Sequence, residues 1–400
     1  MIETFIDSLV LTNTTKMVFL VLDGLGGYPF DETGRTELEA ANTPNLDALA
    51  RESICGMLDP IAPGVTPGSG PSQLALLGYD PCQHQVGRGL LSALGIDFPL
   101  TEWDLAARAN FATVDEEGRL IDRRAGRLTT EENRRLAEKI QKSVKLPVEF
   151  FFLTESDHRA VFILRGEHLS PDIQETDPQV IGEKPLPPQA LSAKGERTAE
   201  LVTDFLIQVR NLLRHEKKAN FLLLRGFDKC HKMPSIHDRF KLKALTIAQY
   251  PMYRGLSRLL GMDVSRIPRN LDEKIDILLE EYENYDLFHI LFKQTDTFGE
   301  DRDVAGKIAA IEAVDRVIPQ IRERSPDVIV VTGDHSTPAV MGTHSWHPVP
   351  VLLHSRWCRP DSVTEFHERA CIHGGLGRMP MIHVMPLALA NARRMRKYRA

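Results

Sequence analysis

The feature that most constrains the fold is a late run, Val328-Ile-Val-Val-Thr332, which is β-branched throughout and ends in Gly333-Asp334-His335. An unbroken apolar run without polar alternation predicts a strand buried on both faces, as in the parallel sheets of α/β proteins. Open α/β sheets gather their chemistry at the carboxyl ends of the strands, which is where Asp334 and His335 fall. A carboxylate beside an imidazole, with a second imidazole at His344 a short loop later, is a candidate ligand set for a divalent metal. A surface turn that happens to hold a histidine is the plainer alternative. Three further motifs weigh against it.

Met17-Val-Phe-Leu-Val-Leu22 is a second apolar run of strand length, followed by Asp23-Gly-Leu-Gly-Gly27. These glycines do not form a dinucleotide fingerprint, because Pro29 stands where the third glycine belongs. They mark Asp23 as another strand-end acid, with space beside it for something bulky. A third strand, Leu287–Lys293, precedes Asp296 and Glu300. The fourth motif is Pro67-Gly-Ser69-Gly-Pro71, which leads into an apolar helical segment. A serine at a helix start is an N-cap in the simplest case, but it also faces free N–H groups and a positive dipole end suited to phosphate. Pro67 and Pro71 exclude the lipase-type elbow, which needs glycines there.

Collected, the groups are Asp23, Ser69, Asp296, Glu300, Asp334, His335 and His344. Oxygen and imidazole donors without thiols suit Mn²⁺, Mg²⁺, Zn²⁺ or Co²⁺, and their number suffices for two ions, the arrangement that clamps an in-line displacement at phosphorus. Ser69 is then the candidate nucleophile.

The remaining composition narrows the class. The net charge of −6 is mild, so neither nucleic acid nor an anionic membrane is an expected partner. Five scattered cysteines without CxxC spacing fit a reducing, cytoplasmic setting. The first residues lack a basic segment and a long apolar core, so no signal peptide or membrane span is expected. A homo-oligomer is compatible with the sequence.

Within this α/β pattern, the texture changes near Leu100. A hairpin is expected over Arg108–Asp122, then three guanidinium groups in five residues (Arg123, Arg124, Arg127), two strands near Val148–Leu153 and Arg159–Leu164, and a strand ending at Arg225. This predicts an inserted α+β domain over residues 100–235 inside a discontinuous domain of residues 1–99 and 236–400. Its arginines suit a small, multiply anionic substrate. Helices are expected over Leu242–Leu260, Asp272–Tyr282, Val304–Arg324 and Pro380–Ala400, the last with a solvated basic end.

The motifs Asp23-Gly-Leu-Gly, Glu39-Ala-Ala-Asn-Thr-Pro-Asn-Leu-Asp47, Pro67-Gly-Ser69, Leu76-Leu-Gly-Tyr-Asp-Pro81, Asn110–Asp115, Asp122-Arg-Arg-Ala-Gly-Arg127, Thr332–Pro338 and His344-Ser345 together resemble the archaeal-type cofactor-independent phosphoglycerate mutases of the alkaline phosphatase superfamily. The resemblance runs from about Lys16 to the C-terminus. It implies an alkaline-phosphatase-like fold, a mixed and mostly parallel sheet sandwiched by helices, carrying a smaller substrate-binding domain. It implies a glycolytic isomerase that moves phosphate between 3- and 2-phosphoglycerate through a phosphoserine at Ser69. By matching motifs, Asp23, Ser69, Asp334 and His335 would hold one metal, and Asp296 and His344 the other, with Mn²⁺ preferred. Arg123, Arg124, Arg127, Arg159 and Arg225 would grip carboxylate and phosphate, with Lys243 or Lys241 at a further matching position. Two residues depart from the family pattern: Glu300 stands in place of a metal-binding histidine, and Gln73 in place of a histidine four residues after the nucleophile. Competing expectations are a related phosphotransferase or phosphatase, homoserine-kinase-like in substrate, and a non-catalytic binding protein on the same fold.

Overall fold

The protein is described by a computed structural model, which covers residues 2–399. Contacts divide the chain into two units: Met1–Gln85, Pro234–Tyr250 and Leu260–Ala400 form one, and Val86–Met233 with Pro251–Leu259 form the other. The second unit therefore begins upstream of residue 100 and takes in a helix from beyond residue 235.

In chain order, β1 (Met17–Leu22) and β2 (Ile54–Asp59) open the first unit. The second unit supplies β3 (Asp104–Val114), β4 (Leu120–Asp122), β5 (Glu149–Ser156), β6 (Arg159–Arg165) and β7 (Phe221–Lys229). The chain returns through β8 (Ala244–Ile247), β9 (Asp263–Val264), β10 (Leu287–Phe292), β11 (Val328–Thr332), β12 (Val349–Ser355) and β13 (Gly377–Pro380).

The first unit holds one sheet in the order β13-β2-β12-β11-β1-β10-β8-β9. All its pairings are parallel except those of β12, which runs against both neighbours. β1, β10 and β11 are buried at every position, which explains their mostly apolar sequences, His289 on β10 being the one ionisable residue among them. This is the α/β, mostly parallel architecture expected from the sequence. The register sets Leu22 beside Phe292 and Val21 beside Thr332, so three adjacent strands end at one level. No helix among the described residues is long and apolar enough to cross a membrane.

The second unit is built on an antiparallel sheet, β4-β3-β6-β5, with β7 on the other side of β3. The helices Thr130–Ser143 and Glu196–Leu213 bury their apolar faces in its core. The first of these starts in a capping box, Thr129 with Glu132. The helix Pro251–Leu259 packs on Arg88–Gly95 so closely that a Cβ at Gly255 would lie 1.9 Å from the Leu91 carbonyl oxygen.

Three helical expectations are corrected. Residues 242–260 are not one helix: the apolar run Ala244–Ile247 is β8, and a helix starts only at Pro251. The pattern over Val304–Arg324 is two helices, Val304–Asp315 and Ile318–Glu323, the second carrying Pro319 in its first turn, where a missing N–H costs nothing. The C-terminal helix spans only Val384–Asn391, and the basic segment after it is not simply a solvated face. Arg394 is fully buried and donates to the Asn13 and Thr15 carbonyls and to Asp286, each at 2.9 Å. Ala400 lies outside the described residues.

Phe205 has no exposed surface, stacks on Phe162 at 4.1 Å and contacts the rings of Phe150 and Phe152. Phe205→Ala is expected to destabilise the second unit by about 3–5 kcal/mol, read as a lowered denaturant midpoint in chemical unfolding.

Candidate active site

The loops after β1, β10 and β11 deliver the acids. Asp23 follows β1 directly, and its N–H donates to the Phe292 carbonyl at the end of β10, 2.9 Å away. Asp296 lies in the first turn of the helix Gln294–Glu300, which follows β10. Asp334 and His335 follow β11 after Gly333. Asp23, Asp334 and His335 have no exposed surface, and Asp296 is 1% exposed. Two groups of potential ligand atoms result, each within 4.8 Å: Asp23, Asp334 and His335, and Asp296, His335 and His344.

Ser69 joins them from another part of the chain. It is the first residue of the helix Ser69–Leu76, with Gly68 as N-cap, and its Oγ lies 3.1 Å from His335 Nε2. The same nitrogen lies 3.2 Å from Asp23 Oδ1 and 3.7 Å from Asp334 Oδ2. His344 stacks on His335 with ring centroids 3.7 Å apart, and its Nε2 lies 3.4 Å from Asp296 Oδ1. Its Nδ1 meets the Pro67 carbonyl at 2.9 Å, which ties this imidazole to the turn carrying Ser69.

Three buried carboxylates at close range need compensation. Lys293, at the end of β10, places Nζ 2.9 Å from Asp23 Oδ2 and 2.5 Å from Asp296 Oδ2. Burial works against charge on Asp296, but Lys293, His344 and His335 hold it well below the usual carboxylate range. Burial likewise opposes charge on Asp23, yet Lys293 and His335 bring it below its ordinary value. Asp334 goes the other way: burial, then the Asp23 charge, raises it to about 6. His335 is raised to about 9, because Asp334, Asp23 and Asp296 outweigh the burial that opposes its charge.

The departures have definite places. Gln73 donates from Nε2 to Asp334 Oδ2 at 3.1 Å, and its Oε1 lies 3.0 Å from His289 Nε2. His289, on β10, is buried and pushed down to about 3 by that burial, so it is a neutral imidazole whose Nε2–H serves the glutamine. Gln73 thus orients Asp334 in place of a proton carrier. Glu300 ends the helix that begins beside Asp296 and belongs to neither ligand group.

The glycines after Asp23 make room for protein. A Cβ at Gly24, whose φ is +65°, would lie 2.5 Å from Thr337 Oγ1 and 3.0 Å from Asp296 Cα. The bulky neighbour expected from the sequence is therefore the loop after β11.

In the second unit Arg123 makes a two-pronged bond to Asp177 at 3.0 and 2.7 Å, and Arg225 approaches the same carboxylate at 3.7 Å. Burial and the charges of Arg88 and Arg108 lower Arg225 to about 9. Burial, with Arg159, Arg124, Arg108 and Arg225, pushes His158 down to about 3. These shifts report a concentrated positive field, which favours an anion. Arg127 is exposed in the adjoining turn, at φ +53°.

Lys243 is a correction. It sits at the amino end of β8, its Nζ 4.7 Å from the Tyr285 ring centroid. The length of β10 separates that edge from Lys293, about 20 Å at ~3.3 Å per residue. Lys241 is no nearer, donating to the Val10 carbonyl at 3.0 Å. Lys293, Thr337, His289, Arg88, Arg108, His158 and Asp177 escaped the sequence reading. Only Lys293 had a usable signal, as a cation at a strand end three residues before Asp296.

Chemically, the clusters offer carboxylate, imidazole and hydroxyl donors without a thiolate, a set that fits hard or borderline divalent cations. The model of the 2,3-bisphosphoglycerate-independent phosphoglycerate mutases matches residues 50–219. A probable 2,3-bisphosphoglycerate-independent phosphoglycerate mutase of Thermus thermophilus is 46% identical over 391 residues, covering 96% of each chain. One of Aquifex aeolicus is 44% identical over 99% of each. Among solved structures, the PH0037 protein of Pyrococcus horikoshii is 30% identical with a TM-score of 0.83, covering 97% of this chain and all of that one. The cofactor-independent phosphoglycerate mutase of Thermoplasma acidophilum, also 30% identical, has a TM-score of 0.65 over 94% of this chain and all of that one. With near-complete coverage at these identities, the chain belongs to the 2,3-bisphosphoglycerate-independent phosphoglycerate mutase family of isomerases.

Proposed function

We propose that this protein interconverts 3-phosphoglycerate and 2-phosphoglycerate, a glycolytic step, through a phosphoserine at Ser69 and without a diffusible bisphosphate. The observation that carries the reading is the Ser69 hydroxyl, 3.1 Å from His335 Nε2 in a buried cluster of acids and imidazoles. Ser69 Oγ bonds to phosphorus as the bond to the C3 oxygen breaks, and the serine proton ends on that oxygen. The glycerate then turns, its C2 hydroxyl oxygen takes the phosphoryl group, and that hydroxyl's proton returns to Ser69.

Asp23, Ser69, Asp334 and His335 are the ligands for one divalent ion, and Asp296 and His344 for the other. Bound there, such ions lower the pKa of a hydroxyl and neutralise phosphoryl oxygens, and the oxygen-rich donors favour Mn²⁺. Lys293 adds a fixed cation to the same site. The first unit is the metal-binding domain, and the second holds the substrate's anionic groups with Arg123, Arg124, Arg159 and Arg225. Five free thiols, with no disulfide among them, accord with a cytoplasmic enzyme.

Purified protein with Mn²⁺ is expected to interconvert the two phosphoglycerates with no added bisphosphoglycerate and to yield a phosphopeptide containing residue 69. Ser69→Ala should abolish both. Turnover only of phosphate esters that lack a carboxylate would overturn the assignment. Metal uptake should depend on pH in a definite direction. Asp334 holds a proton below about 6 and His335 below about 9, and both must lose it to bind metal. Mn²⁺ affinity is therefore expected to rise between pH 6 and pH 9 with net proton release, measured by calorimetry in buffers of different ionisation enthalpy.

A further inference from the structure

Thr337 stands between the two ligand groups and has no exposed surface. Its hydroxyl donates to Asp296 Oδ1 at 2.7 Å and lies 3.0 Å from His335 Nδ1. A hydroxyl has one proton to give, and an ionised carboxylate can only accept. The Thr337 proton is therefore committed to Asp296, and its oxygen must accept from the imidazole. That places a proton on Nδ1 of His335. In the neutral ring the lone pair then belongs to Nε2, the nitrogen that faces Ser69 Oγ and Asp23 Oδ1.

The surroundings hold this hydroxyl in place. Gly24 clears its space, since a Cβ there would fall 2.5 Å from it. Lys307, fully buried, donates to the carbonyls of Thr337 at 2.8 Å and Gly26 at 3.1 Å, so one ammonium ties the loop after β11 to the loop after β1. Glu37, also fully buried, accepts from the Ala339 N–H at 2.7 Å just beyond.

We propose that Thr337 is a positioning residue: its single hydroxyl fixes the His335 tautomer that leaves Nε2 free to ligate and at the same time orients Asp296 in the other ligand group. The proposal rests on the two-metal reading above. It assigns a role to a side chain that acts through His335 and Asp296.

The test uses the full chain stripped of metal, as wild type, Thr337→Val, which keeps the shape without the hydroxyl, and Thr337→Ser, which keeps the hydroxyl. Mn²⁺ stoichiometry and affinity are measured by calorimetry, and the His335 ring nitrogens by heteronuclear spectra of imidazole-labelled protein. Wild type is expected to take up two ions and to show a protected Nδ1–H. T337V should bind Mn²⁺ about 10–100-fold more weakly and lose the protected proton, while T337S keeps both. T337V with wild-type affinity and an unchanged Nδ1–H signal would overturn the proposal. Should T337V lack the melting transition of the native apoprotein, Thr337→Ala takes its place, and T337S binding as weakly as T337A would then overturn it. A wild-type chain that takes up no metal defeats the two-metal reading instead, and the ring-nitrogen spectra still test the tautomer.

Discussion

The structure depends on bringing three carboxylates, Asp23, Asp296 and Asp334, together out of water at the ends of adjacent strands. Two like charges 4 Å apart repel by about 4 kcal/mol at an effective dielectric of 20, so such a cluster persists only if its surroundings answer it. Lys293 and the His335 imidazolium supply positive charge. The N–H groups of Gly24 and His335 supply hydrogen bonds to Asp334, and Gln73 adds a third. Burial, with the Asp23 charge beside it, raises Asp334, whereas Lys293 and His335 bring the equally buried Asp23 below its ordinary value.

Much of this was legible because parallel strands buried on both faces have an unmistakable sequence texture. The runs ending at Leu22, Phe292 and Thr332 fixed the strands, and with them the level at which Asp23, Asp296 and Asp334 meet. Ser69 was legible from its glycine-flanked turn. What stayed hidden depends on neighbours distant in the chain. No local pattern separates Ala244–Ile247 from the helix that follows, because a short apolar run serves either structure until its partners are known. Arg394 looks like one more charge in a basic tail, yet the carbonyls of Asn13 and Thr15 and the carboxylate of Asp286 make its burial tolerable.

The arginines show the same limit. Arg123, Arg124 and Arg127 drew notice by adjacency, but the field in the second unit also draws on Arg108 of β3, Arg159 of β6, Arg225 of β7 and Arg88 at the start of the helix Arg88–Gly95. Arg108 and Arg225 face one another across a strand pair, and Asp177 comes from a loop without regular structure. Adjacency in sequence missed Arg88, whose charge acts on Arg225. Carrying Lys243 over by motif failed for a related reason: a residue at the start of a strand lies at the opposite edge of the sheet from the chemistry.

The pairing of β1 has a consequence for how the protein is made. Met17 must find Leu287 on one side and Val328 on the other. A chain emerging from the ribosome therefore carries an apolar strand with no partner while all of β3 to β7 is synthesised. Most of the second unit can condense in that interval, whereas the acids of the first cannot assemble until the last third of the polypeptide has appeared. In a nascent chain Ser69 exists long before the acids and imidazoles that surround it, so an incomplete translation product carries no assembled cluster.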